Sequence, residues 1–582
     1  MTSAPDAPLS PLPAFLRRYG WLLIFLVALL LRWWGNGFGL PHIYTSDEAV
    51  TVNRAVRFGT FDFNPHWFNY GSLNMYFLFV NYGAFYAVMR GLGYIHSSEQ
   101  FARLFISDPT GFYLIGRAWS GLWSALCVIW TYCLGRRWGG EALAWGAALL
   151  LAVNVTTVDN AHSILNDPLM VFLMLWAVAE CDGIRRTGRT GAYLRAGLAI
   201  GLAASTKYIP VLLFVAVVIA HVQRVRTQRL SWLALPGWRP VMLAGLLAGC
   251  GFLIGTPYAV LDAPTFLDYM REWKARGATG VAYLPPDEPS AMARVWGEYL
   301  PDALGWLGYG LALAGALLAA FHRPAWLAPY AGYAAVLILF LSASKQITPR
   351  YPLPLYPLLA LLMAYAVTEL AAWFGRQGYR YAAMVTGCGV LLAALAAPAI
   401  SCVENDVTLT LPDTRTLMKQ YIERTIPAET KILMDPFCPP LAQSRRKLTE
   451  LYAQALAAQH PKADKYRLQL LTLPPVTYEW YWTKHGKNTA LPRDQQWSDM
   501  TIPYIAIADG IAAVRAQGVR HVVLSSLNRD AYRAAWLRGY FPEIAAFYDE
   551  VERTGTLLRR YAPARGYAQG PRLELYDIGA GR

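Results

Sequence analysis

Charge is scarce in this sequence: Asp, Glu, Lys and Arg make up 15% of its 582 residues, against 55% apolar and 14% aromatic side chains. Ordinary soluble domains carry about 25% charged residues, so this composition excludes water as the chain's main solvent. Acidic residues are the scarcer sign, 38 against 52 basic, for a formal net charge of +14. On a soluble domain that excess would suggest nucleic acid. Here much of it sits in short clusters between apolar blocks, and no nucleic-acid partner is expected. The seven cysteines include no CxxC or Cys/His spacing, and most lie in apolar blocks. That pattern excludes a disulfide scaffold and a structural zinc site. Cys402 and Cys438 alone fall in polar sequence, with little else to suggest a bond between them. No convincing glycine-rich phosphate cradle occurs, which argues against a nucleotide-activated substrate.

What the chain has in quantity is long apolar runs. Residues 21–34, 122–134, 245–260, 303–321 and 353–374 are such blocks, several of them approaching or reaching the roughly 20 residues that cross a hydrocarbon core. Arg17 and Arg18 precede the first run as in a signal peptide, but Arg32-Trp33-Trp34 stands where a small-residue cleavage site belongs. An uncleaved first span is therefore expected. The basic clusters are Arg17/Arg18, Arg136/Arg137, Arg185/Arg186/Arg189/Arg195, Arg224/Arg226/Arg229, His322/Arg323 and Arg376/Arg380. By the positive-inside rule they belong in the cytoplasm.

Threading the chain under that rule takes the first span outward to residue 34, followed by an external loop over 36–115. Later spans are expected over 116–134, 141–158, 168–181, 241–259, 302–320, 326–341, 352–373 and 381–397. Residues 72–92 are apolar enough to cross, yet counting them would put Arg136 and Arg137 outside. They are expected as a juxtamembrane helix in the interface, with an ordinary span as the alternative. Between 195 and 223 the apolar sequence breaks at Ser205-Thr206-Lys207-Tyr208 and Pro210. Each half looks too short to cross, so two short helices with a polar hairpin at the outer face are expected. The sum is a polytopic α-helical membrane protein of about eleven spans, in a bacterial inner (cell) membrane, with its N-terminus cytoplasmic.

Residues 1–400 thus read as a transmembrane catalytic domain and 401–582 as a soluble α/β domain outside the membrane. In the latter, 413–425 and 511–517 pattern as helices, the second ended by Gly518, and 431–434, 521–525 and 573–577 as strands.

With sides assigned, four polar groups converge on the outer face. Asp47-Glu48 follows the first span. Two adjacent carboxylates at a membrane boundary suit a general base for an acceptor hydroxyl, and they suit equally a helix capped by Ser46 whose dipole they complement. His162 and Asn166-Asp167 lie in a short external loop, where Asp167 before Pro168 also reads as a helix start. Lys207 with Tyr208 sits at the hairpin tip, where an ionisable residue is either functional or snorkelling to the interface. Arg350-Tyr351 enters the span from Pro352. A cation outside runs against the orientation rule, and an anionic lipid phosphate or a partner carboxylate would explain it. A carboxylate pair opposite two cations suits a lipid-phosphate donor: the hydroxyl needs a base and the departing phosphate needs positive charge. A transporter or flippase of lipid-linked sugars is the alternative, for which no base is required.

These residues resemble the GT-C membrane glycosyltransferases of the protein O-mannosyltransferase and aminoarabinose transferase type, glycosyltransferase family 39. The likeness is carried in order by Leu31-Arg32, Phe38-Gly39-Leu40-Pro41, Ser46-Asp47-Glu48-Ala49, Phe68-Asn69-Tyr70-Gly71-Ser72-Leu73, Arg117 with Ser120-Gly121, Leu134-Gly135-Arg136-Arg137, Asn166-Asp167, Thr206-Lys207-Tyr208, Gly255-Thr256-Pro257-Tyr258 and Pro349-Arg350-Tyr351. The resemblance implies an inverting transfer from a polyprenyl-phosphate sugar to a protein, lipid or glycan hydroxyl. It implies that Asp47 is the base and that Arg350, with Lys207 and the adjacent Tyr351, holds the phosphate. His162, Asn166, Asp167, Tyr70 and Tyr208 are the further candidates for substrate contact. Relatives often have Pro-Pro, sometimes after a lysine, where this chain has Tyr70-Gly71-Ser72, so that lysine's contact is not carried over. Asp47 and Glu48 could share a divalent ion, though no ligand spacing requires one.

Overall fold

The computed structural model describes residues 14–228, 235–279, 289–322, 324–344, 347–460, 462–485 and 503–579. Among these, five helical segments are long and apolar enough to cross a membrane: Thr110–Ala152, Ile209–Thr227, Ala291–His322, Leu353–Arg376 and Arg380–Leu409. The shorter apolar helices Arg239–Gly255 and Leu327–Ser342, with Ala14–Trp33, Asp167–Thr187 and Thr190–Ala204, pack among them around one apolar core.

The helix Thr110–Ala152 is two passes in one, because Gly139 and Gly140 (φ of −147° and +81°) interrupt it. A side chain would strain the left-handed turn at Gly140. The second pass ends at Ala152, short of the expected residue 158. Asn154 then caps a separate short helix, Val155–Ala161, by accepting from the Thr157 amide. The hairpin over 195–223 is broken where expected. Its second limb, however, is a full crossing, because the 3-10 turn Ile209–Leu213 runs directly into Phe214–Thr227. Proline at 210 is tolerated in that first turn, where its missing N–H has no helical partner anyway.

Arg32, at the C-terminal end of the first helix, is completely buried. Its Nε donates to Ser124 Oγ at 2.7 Å and its Nη1 to the Ala28 and Ala152 carbonyls at 3.0 Å. A guanidinium inside a bundle is tolerated only when its donors are satisfied in this way, and the bonds pin three passes together.

The segment 36–115 carries the helices Ser46–Arg57, Leu73–Gly91 and Ser98–Ser107. The helix Arg380–Leu409 runs on with Pro398 inside it, so the chain leaves the bundle about two and a half helical turns beyond the expected boundary at residue 400. Cys402 and Cys438 are both free.

Beyond Leu409 a six-stranded sheet forms from β1 Lys431–Met434, β2 Glu479–Lys484, β3 Tyr504–Ala506, β4 His521–Ser525, β5 Thr556–Tyr561 and β6 Leu573–Asp577. Its order is β3-β2-β1-β4-β6-β5. The strands β1 to β4 are parallel, and β6 runs antiparallel to both β4 and β5. The strand order reverses between β1 and β4. There Asp435 is fully buried, accepting from Thr483 Oγ1 (3.0 Å), Tyr548 OH (2.9 Å) and the Ser525 amide (3.0 Å).

Burial pushes the Asp435 carboxyl up to about 6 against the pull of those donors. A carboxyl raised on folding binds its proton more tightly in the native state. Its stabilising contribution is therefore complete below its unfolded value near 3.8 and is lost as pH rises through about 6. Native stability of the sheet domain should fall by about 3 kcal/mol across that window, and Asp435→Asn should flatten the slope. Hydrogen exchange of the β1 and β4 amides in the full chain, measured against pH, checks it.

Candidate active site

Two glycine-dependent approaches bring the expected residues together. The turn Tyr70-Gly71-Ser72 lies directly on the broken hairpin: a Cβ on Gly71 would meet the Ser205 carbonyl oxygen at 2.1 Å. The Leu73 amide donates to that same oxygen at 3.0 Å, and the Ser72 amide to Thr256 Oγ1 at 3.2 Å. Gly255 is equally tight, since a Cβ there would meet Ser205 Oγ at 2.2 Å. Three separated sequence motifs, at 70–72, 205–208 and 255–256, thus meet at one junction, and the tip beyond it presents Lys207 and Tyr208 to a cavity of about 480 Å³.

That cavity is lined on its polar side by Asp47, Asn69, Tyr70, Lys207, Tyr208 and Tyr351, and on its apolar side by Val50, Trp67, Ile209, Trp273, Phe340 and Leu341. Asp47 Oδ2 is 2.8 Å from Arg350 Nη1, and Arg350 Nη2 donates to Tyr70 OH at 3.3 Å. Lys207 Nζ donates to Asp167 Oδ1 at 2.8 Å and lies 5.0 Å from the Tyr351 ring centre and 5.9 Å from that of Tyr70. Tyr208 OH donates to the Phe68 carbonyl at 2.8 Å, which holds the turn in place. Burial keeps the Tyr70 and Tyr351 hydroxyls neutral by raising both pKa values. Burial alone would lower the Arg350 pKa, but Tyr70, Asp167 and Asp47 outweigh it and raise it, so the guanidinium stays charged.

The structure separates the two adjacent carboxylates. Asp47 keeps 40% of its side chain exposed at the cavity, whereas Glu48 is completely buried. Both Glu48 oxygens are taken by Arg117, which donates from Nε and Nη2 at 2.8 Å each. Glu48 Oε1 also accepts from the Ile164 amide at 3.0 Å, and Arg117 Nη1 donates to the Asn36 and Phe38 carbonyls at 2.7 and 2.9 Å. The expectation of a paired catalytic dyad is corrected accordingly: Glu48 braces the loop rather than facing the cavity. The pair does not fit a shared divalent ion either, since one carboxylate is spent on a bidentate guanidinium and the other faces Arg350. Among the described residues no group of three or more His, Cys, Asp or Glu side chains stands ready to hold a metal.

The helix-start reading of this segment holds in a shifted form: Thr45 occupies the N-cap position and Ser46 is the first helical residue. Asp47 and Glu48 both lie in the first turn, where the helix dipole favours negative charge.

His162 and Asn166 are not at the cavity. The His162 ring nitrogens sit 2.9 and 3.0 Å from the Val158 and Trp34 carbonyls, and Asn166 accepts from Asn74 Nδ2 at 2.9 Å. Asn166 ties the helix Leu73–Gly91 to the bundle, and His162 ties the short helix Val155–Ala161 to the end of the first helix. Asp167 serves twice, opening the helix Asp167–Thr187 ahead of Pro168 and neutralising Lys207.

Sequence reasoning did not single out Trp67, Trp273, Lys274 or Phe340. Trp273 and Lys274 lie on the helix Ala263–Thr279, whose mixed aromatic and basic residues fall outside any apolar run. Trp273 stacks on Phe340 at 5.9 Å and 13°, closing the apolar side of the cavity. Nor did it reveal the sheet domain's grip on the loop before Asp47. Arg415, held by Asp413, lies 3.7 Å over the Tyr44 ring, and the Tyr44 and Thr416 hydroxyls are 2.7 Å apart. Lys419 Nζ donates to His42 Nε2 at 3.3 Å. Burial, and then Lys419, push the His42 pKa down to about 4, so the ring is neutral and accepts.

Residues 80–267 match the family model of dolichyl-phosphate-mannose-protein mannosyltransferases. The fold superposes on the oligosaccharyltransferase of Archaeoglobus fulgidus, in its complex with zinc and sulfate, over 94% of this chain and 72% of that one, with a TM-score of 0.50 at 14% identity. The chain has the GT-C fold. It is similar, at 28% identity over 273 residues, to an undecaprenyl phosphate-alpha-4-amino-4-deoxy-L-arabinose arabinosyl transferase of Enterobacter sp. (strain 638). That match takes in 44% of this chain and 46% of the relative, so it spans about half the length of the curated protein. ArnT of Cupriavidus metallidurans bound to undecaprenyl phosphate aligns over 96% of this chain and 98% of its own, at 14% identity and a TM-score of 0.48. With this fold and its set of long apolar helices, the chain is a multi-pass membrane protein.

Proposed function

We propose that this GT-C protein is an inverting glycosyltransferase that moves a sugar from a polyprenyl-phosphate lipid to an acceptor hydroxyl on the extracytoplasmic side of the membrane. The observation that carries this reading is the Asp47–Arg350 ion pair at 2.8 Å, whose carboxylate lines the same cavity as Lys207. The carboxylate stands where a hydroxyl can reach it, and the cations stand where a phosphate would replace their present partners. The name of the Enterobacter relative, an undecaprenyl phosphate-linked sugar transferase, supports the same donor class.

In this mechanism the donor phosphate draws Arg350 away from Asp47 and lies between it and Lys207, with Tyr351 and Tyr70 flanking. The released Asp47 accepts the proton of the acceptor hydroxyl as its oxygen bonds to the anomeric carbon. The bond from that carbon to the phosphate oxygen breaks, and its electron pair leaves on the polyprenyl phosphate, stabilised by the two cations. The lipid chain runs along Ile209, Trp273, Phe340 and Leu341 toward the bilayer. The arginine-rich turns lie in the cytoplasm, with the N-terminus on the same side and the sheet domain of 413–578 outside. That domain, by gripping His42 and Tyr44, helps to set where Asp47 stands.

The test is sugar transfer by the purified protein in detergent, where no second leaflet exists and lipid flipping cannot be the readout. Arg350→Gln should raise the donor KM about 10- to 100-fold, the usual worth of a hydrogen bond to a charged group. An unchanged donor KM would remove Arg350 from the phosphate site, and wild-type protein inert toward polyprenyl-phosphate sugars would remove the reaction itself.

A further inference from the structure

We propose that the arginine-rich face of the bundle opposite the cavity holds the headgroup phosphate of an anionic phospholipid, in a site built by Arg137, Arg186 and Arg224 around the carboxylate of Asp182, which is outnumbered by the guanidiniums around it. The helix Asp167–Thr187 opens at the cavity with Asp167 and ends at this other face. Near that end Asp182 is buried, and three guanidiniums converge on it: Arg185 Nη2 at 2.7 Å, Arg186 Nε at 2.9 Å and Arg137 Nη1 at 3.9 Å. A fourth, Arg224, donates to the Arg186 carbonyl at 3.2 Å and packs across Gly188, the left-handed residue that ends the same helix. The buried Nε atoms of Arg185 and Arg224 lack a hydrogen-bond acceptor.

Three like charges gathered on one carboxylate, with Arg224 beside them, repel one another, and the repulsion is only weakly screened at the edge of a low-dielectric bundle. Neighbouring carboxylates do not relieve it. Glu141 is held by Arg136 at 2.7 Å, and Glu180 by both Nε and Nη2 of Arg195 at 2.9 Å. The cluster therefore has an unfilled demand for an anion.

Position decides which anion. The guanidiniums sit at the ends of apolar passes, where a leaflet's phosphates lie. The cleft that contains Asp182 and Arg185 is walled by Trp138 and Trp326, whose rings stack at 4.8 Å and 10°. Indoles of this kind favour the headgroup layer, and basic pockets between membrane helices at that depth hold anionic headgroups. Arg137 and Arg186 remain about half exposed, free to turn toward a phosphate without unpairing Arg185 from Asp182. This site is remote from the cavity and stands whether or not the proposed reaction is correct.

The experiment uses the full chain purified from phosphatidylglycerol-containing membranes. Native mass spectrometry counts lipid retained after exchange into zwitterionic detergent, and thermal unfolding is compared in nanodiscs of pure phosphatidylcholine and of phosphatidylcholine with phosphatidylglycerol. The wild type should retain phosphatidylglycerol and unfold at a higher temperature in the mixed bilayer. The double variant R186Q/R224Q should bind it about 25-fold more weakly, at roughly fivefold per arginine near a membrane surface, and lose the thermal shift. R136Q, which breaks a one-to-one pair on the same face, should keep both and controls for general loss of charge. Equal retention by R186Q/R224Q and wild type overturns the proposal, as does equal stabilisation by pure phosphatidylcholine. A full thermal shift from millimolar inorganic phosphate in pure phosphatidylcholine overturns the lipid assignment in favour of a free-anion site. Should R186Q/R224Q fail to fold, the same comparison is made with R137Q and R224Q singly, each expected to weaken binding about fivefold.

Discussion

Asp47→Asn should lower the turnover of sugar transfer by about 10²- to 10⁴-fold, the range associated with loss of a positioned general base. The amide keeps the shape of the carboxylate and can still face Arg350, so the cavity should hold its form and the donor KM should change far less than turnover. What the amide cannot do is take a proton. The acceptor oxygen would then have to form its new bond while still protonated, and the lost stabilisation appears in the transition state rather than in binding. Thermal unfolding of Asp47→Asn should match the wild type, because the side chain is 40% exposed and its ion pair with Arg350 is of the partly solvated kind that contributes little. Full turnover in Asp47→Asn would falsify the assignment of the base while leaving the phosphate site intact.

Arg117→Ala should produce the opposite pattern, with a large loss of stability before any specific loss of chemistry. Arg117 is completely buried and satisfies both oxygens of the buried Glu48 as well as two loop carbonyls. Removing one partner of such a pair strands an uncompensated charge, at a cost of about 3 to 5 kcal/mol. Arg117→Lys should recover little, since a single ammonium cannot reproduce the two parallel bonds. The replacement of both partners by apolar residues, Glu48→Leu with Arg117→Met, should be milder than Arg117→Ala alone. Thermal unfolding in detergent measures all three. The protein that remains folded should also transfer sugar poorly. Glu48 links the helix Ser46–Arg57 to the Ile164 amide, three residues before Asp167, so loosening it displaces both the base and the partner of Lys207. A displacement of about 1 Å at a reacting group can cost about 100-fold in rate.

Much of the membrane part was legible in the sequence because two crude forces dominate there. Apolar runs must be withdrawn from water, and basic residues collect at one set of turns, so passes and turns follow from composition along the chain. The boundaries that moved did so for local reasons. Asn154 capped a new short helix four residues before the expected end, and a 3-10 turn lengthened the limb after Lys207. In the sheet domain β1, β4 and β6 were visible as compact apolar strands, whereas β2 and β3 were not. Glu479–Lys484 alternates Trp and Tyr with charged ends, and Tyr504–Ala506 is too short to show a period. They become strands because β1 offers a parallel edge to β2, and β2 in turn offers one to β3.

The site divides in the same manner. Asp47, Lys207, Tyr208 and Tyr351, which line the cavity, stood out in sequence because polar residues at the ends of apolar runs are rare, and Tyr70 entered with the motifs that carry the family resemblance. Trp67, Trp273 and Phe340 were not, since aromatic residues are common in this chain and nothing local distinguishes a cavity wall from a packed core.

What the sequence determined by itself, then, is the solvent of the chain, the ends of its passes and the set of polar residues gathered on one face. Only the tertiary structure decided which of two adjacent carboxylates faces the cavity. Neighbours on a helix point about 100° apart, so Asp47 and Glu48 could never both look into the same space. Which one did was set by where the chain later placed Arg117 and Arg350, residues separated from them by about 70 and 300 positions, whose approach no local pattern records.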